Sequence, residues 1–213
     1  MVQSLYEDTY YVPDKQTNRF FISPWGKLYC IDFLNKYNIR FGEHRISDDR
    51  LFLQKIYAHI DKIWLSSYIS YHWRTVQNSI THKQSSTKYP KFFEALIVAD
   101  ECYEYTRKFR PEMFNPDAEM DRFLDWCYRI HSSHLKVFIS KISDICKKWN
   151  LSRDMFETED GWYLYSTFVK NDYLKIMKKV FSKSNIMKHL IKAICMFVPI
   201  KSWRKRLRSI YQK

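Results

Sequence analysis

The chain has 213 residues, 46% of them hydrophobic and 28% charged, so it is long enough for one or two small domains around a sizeable core. Its net charge is +13, yet thirteen Lys/Arg and a single acid, Asp172, lie from Lys170 onward, so twelve of those charges belong to the tail. Three glycines, with no G-x-G-x-x-G or G-K-[ST] run, exclude the usual Gly-rich nucleotide loops; five scattered cysteines without C-x-x-C spacing read as reduced thiols.

In chain order, residues 1–22 are irregular apart from a short strand at Tyr10-Tyr11-Val12, closed by Pro13-Asp14. Residues 32–37 suit a short helix. Ser47 or Asp48 then caps a second helix over residues 49–59, with Leu51, Phe52, Ile56 and Tyr57 at core spacing. Ile63-Trp64-Leu65 and residues 68–73 are aromatic and β-branched, which predicts strands. Residues 78–88 read as a polar loop. After Pro90, Phe92-Phe93, Leu96-Ile97 and Cys102-Tyr103 recur at three and four, so residues 91–109 form an amphipathic helix. Pro111 and Pro116 interrupt, and Asp117 is expected to cap a helix running to about Asn150, broken near His131. A short helical piece begins at Ser152 and Gly161 is expected to break it. Trp162 to Tyr165 is compatible with helix or strand, and residues 170–199 are helical. The pattern is α+β and mostly helical.

One stretch carries a more specific signal. Ser23-Pro24-Trp25-Gly26-Lys27-Leu28-Tyr29 leads into Asn38-Ile39-Arg40-Phe41 and ends in the acid pair Asp48-Asp49. Tyr71-His72-Trp73-Arg74 and Asn78-Ser79-Ile80 follow. This order resembles the acceptor-side half of bacterial family 2 glycosyltransferases, which have the GT-A fold. The resemblance covers residues 20–82 and implies a partial GT-A lobe over residues 1–82, then a helical extension over residues 83–213.

It also implies roles. Asp49 becomes the base that takes a proton from the acceptor hydroxyl in an inverting transfer, with Asp48 as its neighbour. A helix N-terminus keeps such a carboxylate anionic. Read without the resemblance, two acids before an apolar run form a helix cap. Lys27 helps to build the pocket wall, or is a surface lysine beside Leu28 and Tyr29. Trp25 stacks on a sugar ring or packs in the core. Arg74, with Asn78 and Ser79, faces the donor diphosphate or the acceptor mouth. His72 is a weak metal-ligand candidate.

The donor half of such enzymes, with its Asp-X-Asp metal segment, precedes the Lys-Leu-Tyr element, and no D-x-D occurs before Lys27. The expectation is therefore a fragment or subunit of a glycosyltransferase acting on a surface polysaccharide or lipid-linked glycan, inactive alone. Mg²⁺ or Mn²⁺ would serve only the complete enzyme, as would the nucleotide-sugar donor. Residues 186–211 pair apolar positions with lysines, then Trp203 and Arg204-Lys205-Arg206, which fits a helix on an anionic membrane surface and not a nucleic-acid partner. The expected location is cytoplasmic, peripheral at the inner face of the cell membrane. The alternative is a non-catalytic helical module that docks to a membrane or partner.

Overall fold

The computed structural model describes residues 9–15, 17, 23–44, 46–66, 71–72 and 88–183. Among them the protein is α+β and mostly helical, with seven α-helices and one two-stranded sheet. Strand β1 is Thr9–Tyr11 and β2 is Ile63–Leu65; they pair antiparallel with Tyr10 opposite Trp64. Those two rings meet edge to face at 4.6 Å, the kind of cross-strand aromatic pair that holds a short ribbon in register. Of the strand expected over residues 68–73, Tyr71 and His72 are described, and they lie outside any strand.

Helix α1 is Ile31–Lys36 and α2 is Asp48–Tyr57. Phe52, Leu53, Ile56 and Tyr57 recur along α2 at helical spacing and bury themselves with Ile39 and Met113 in a small core. Helix α3, Lys88–Phe109, takes Pro90 into its first turn, where a missing N–H costs no helical bond. Its Val98 and Cys102 pack on Leu51 of α2 and so join the small core to the rest.

Helices α4 (Pro116–Arg129), α5 (Ser132–Trp149), α6 (Glu159–Val169) and α7 (Tyr173–Lys183) enclose the larger core with α3. Phe123, Phe138, Ile142, Phe168 and Ile176 are wholly shielded there. Removing each such side chain from water stabilises the fold by about 1.5–3 kcal/mol. The break expected near His131 is real: His131 is the N-cap of α5, its Nδ1 accepting the Ser133 N–H.

Two expectations are corrected. Asp117 does not cap α4. Asn115 does, accepting the Ala118 N–H at 3.0 Å, because Pro116 takes the first helical position and so puts the cap at the residue before it. The Asp117 carboxylate instead accepts from the backbone N–H groups of Glu157 (2.8 Å) and Thr158 (3.2 Å) and from the Thr158 hydroxyl. Nor does Gly161 break a helix. It lies in the first turn of α6, whose N-cap is Thr158. A Cβ at Gly161 would collide with Asp117 Oδ1, so glycine is what lets the carboxylate approach. Residues 162–165, compatible with either state in the sequence, are helical.

Candidate functional site

The acid pair opens α2. Ser47 precedes it in the left-handed region, at φ 63°, and its hydroxyl makes no capping bond. The capping expected of Ser47 or Asp48 is replaced by side-chain contacts of the acids themselves. Asp48 Oδ1 accepts the Gly42 N–H at 2.7 Å, and Asp49 Oδ1 accepts the Arg50 N–H at 2.8 Å. Both acids are half-buried. A Cβ at Gly42 would sit 2.7 Å from that same Asp48 oxygen, so a larger residue there would push the carboxylate aside.

Phe52 lies one helical turn on from the acids. It floors an open hollow of about 500 Å³, walled by Pro24, Trp25, Tyr29 and Phe41 among others; Asp48, Asp49 and Lys27 do not line it. Phe41 stacks on Phe52 at 4.0 Å, and Tyr29 meets it edge-on at 5.4 Å. Phe41 is next to Gly42, so the Asp48–Gly42 bond ties the rim of the hollow to the start of α2.

Trp25 is 58% exposed at this rim, and its ring lies nearly parallel to that of Tyr71, with centres 6.0 Å apart. The sequence allowed Trp25 a core role; it is a surface ring. Lys27 is half-buried, and its ammonium donates to the Ser23 carbonyl, shaping the 23–27 turn. Burial lowers its pKa. No ion pair joins Lys27 to Asp48 or Asp49 among the described residues. His72 is exposed, and no cluster of three or more His, Cys, Asp or Glu able to hold a metal occurs among the described residues. Arg74, Asn78 and Ser79, and the tail over residues 186–211, lie outside the described residues.

Two functional features escaped the sequence reading. Arg40, at the edge of the hollow, is clamped to the carbonyls of Ile39 (2.8 Å) and Leu34 (3.3 Å) and to Asn35 Oδ1 (2.6 Å), so it braces α1 against the wall. Arg50, the residue after the acids, pairs with Glu119 of α4, which also holds Arg122. Nothing local in the sequence marks a contact across 69 residues.

Among the described residues no helix is long and apolar enough to cross a membrane. Comparison with protein-family models, with curated proteins and with solved structures finds no match to this chain.

Proposed function

We propose that this protein is the acceptor-side part of an inverting glycosyltransferase, working with a donor-binding half that supplies the nucleotide-sugar and its Mg²⁺ or Mn²⁺. The observation that carries this reading is an open, aromatic-walled hollow on Phe52, one helical turn along α2 from Asp48 and Asp49, with Asp48 tied through the Gly42 N–H to its rim. A carboxylate at a helix start stays anionic, which suits it to take a proton from a sugar hydroxyl brought to it by the complete enzyme. Trp25 and Phe41 offer exposed ring faces to the C–H faces of that sugar.

Uncovered apolar surface near the hollow supports a missing neighbour. Leu28 is fully exposed, and Trp25, Ile31 and Phe41 are each more than half exposed. Exposed apolar side chains gathered near one hollow would suit contact with another protein segment. The basic amphipathic segment at residues 186–211 would hold the assembly at an anionic membrane.

A second reading, a non-catalytic helical docking module, draws on one observation: α3 to α7 close a core of their own. Reconstitution with a donor half separates the two. Asp49→Asn should cut turnover by about a hundredfold or more if Asp49 is the base. Retained turnover makes Asp49 a helix-terminal residue only. Micromolar binding of a nucleotide-sugar by the chain alone, measured by calorimetry, would refute the need for a separate donor half.

A further inference from the structure

A second cleft, of about 770 Å³, opens on the other flank of α2, where Leu51 and Lys55 face the last turns of α3. Its size falls within the range of about 300–1,000 Å³ typical of small-ligand sites. The floor is aromatic and neutral. Tyr37 stacks on His59 at 4.1 Å, and Tyr105 and Phe109 meet the same imidazole edge-on at 5.7 and 4.8 Å. The Tyr105 hydroxyl lies 2.8 Å from His59 Nε2. Burial lowers the His59 pKa, so the ring is uncharged near pH 7.

The charge balance of the walls is lopsided. Glu101 and Glu104 line the cleft but are already engaged: Glu101 with His44 at 3.0 Å, Glu104 with Arg107 at 2.7 Å and Lys148 at 3.2 Å. Lys55 and Lys108 also line it, and neither has a carboxylate partner among the described residues. Lys108 sits only over the Phe109 ring, at 5.0 Å. Lys55 is half-buried, its stem lying along the cleft wall. Asn38 and Tyr37 add neutral hydrogen-bonding groups, and Phe109 leaves an exposed apolar face.

We propose that this cleft binds an anionic sugar, a pyranose carrying a phosphate or a carboxylate. The anion lies between Lys55 and Lys108, the hydroxyls reach Asn38 and Tyr37, and the apolar side of the sugar meets the aromatic wall of Tyr105 and Phe109. A bare anion would leave most of the cleft empty, and a neutral sugar would make no use of the two ammonium groups that lack a carboxylate partner among the described residues. The site stands apart from the hollow at Phe52, and neither needs the other.

The test is a titration of the isotope-labelled full chain, followed by backbone amide shifts. The probes are glucose 6-phosphate, glucuronate, glucose and inorganic phosphate. Saturable shifts confined to residues 37–38, 51–55 and 101–109 with an acidic sugar are expected, and the tighter of the two acidic sugars assigns the charged group. Lys55→Gln and Lys108→Gln, surface changes that leave the core intact, should each weaken binding by about tenfold. Shifts no larger than those from glucose overturn the proposal. So does inorganic phosphate binding as tightly as glucose 6-phosphate, or an unchanged affinity in the double variant. Shifts at Trp25 and Phe41 report on the other site, so failure here is distinct from failure there.

Discussion

Replacing Glu119 by Gln removes one negative charge from a place where two guanidiniums share it. Glu119 Oε1 accepts from Arg50 and from Arg122, and the Glu119 side chain is 8% exposed. Burial alone would raise its pKa, but Arg122 and Arg50 outweigh that and hold the carboxyl below its ordinary range. Arg50 Nε and Nη1 and Glu119 Oε2 are buried with no partner among the described residues, so the cluster is already costly. Breaking it costs more, because two positive charges stay behind in the interior. Loss of one member of a buried pair destabilises by about 3–5 kcal/mol. The arginine side chains keep 16% and 26% exposure, which places Glu119→Gln near the lower end, at about 3 kcal/mol. For a chain of this size that is a fall in Tm of about 6–12 °C. Urea unfolding followed by circular dichroism should show a lower midpoint at unchanged m. A triple change to Met at 50, 119 and 122 should recover most of the loss. The pH dependence has a definite sign. The folded pKa lies below the unfolded one, so the stabilisation is whole above about pH 4.3 and is lost as acid takes the pH down through the folded value. Glu119→Gln should lack that part of the acid slope. A loss under about 1 kcal/mol would refute the claim that one buried carboxylate joins α2 to α4.

Gly161→Ala should destabilise by about 2 kcal/mol in the same assay, because the new methyl meets a carboxylate fixed by three donors; a gain from better helix propensity would show that Asp117 gives way. Asp48→Ala should cost about 1 kcal/mol through the Gly42 N–H it leaves unbound, whereas Asp49→Asn should change stability by less than that, since among the described residues its carboxylate bonds the adjoining Arg50 N–H alone. Equal losses at the two positions would count against distinct structural roles for the two acids. The burial that lowers the His59 pKa means that folding favours the neutral ring, so stability should decline as pH falls below about 6.5 toward the folded value. His59→Gln should flatten that decline in thermal melts taken between pH 7.5 and 5.5; an unaltered slope would assign it to another group.

Elements were legible where one face repeats. The period of three and four through Phe92-Phe93, Leu96-Ile97 and Cys102-Tyr103 marked α3. The aromatic and β-branched residues of β1 and β2 marked strands, but not their pairing, because Tyr10 and Trp64 are separated by more than fifty residues. Caps were misread for a local reason. Asp117 has the right chemistry, yet Pro116 decides the geometry, and the displaced carboxylate found its donors at residues 157 and 158. Gly161 reads as a breaker by propensity alone, although its role is to admit that carboxylate.

The candidate site divides along the same line. Asp48, Asp49, Trp25 and Lys27 could be singled out because their order along the chain is itself a pattern. Of these only Trp25 lines the hollow, and what builds the hollow is not in that order. Phe41 stacks on Phe52 because the 39–42 segment returns over α2, and Asp48 holds that return through one backbone N–H. Arg50 then fastens the acid-bearing end of α2 to Glu119 in the helical region. The orientation of the acid pair therefore depends on a residue 70 positions downstream of Asp49, in a part of the chain that resembles no sugar-handling element. If Asp49 is a base, its aim is set by α4 as well as by its own lobe, and the helical region is part of the catalytic scaffold.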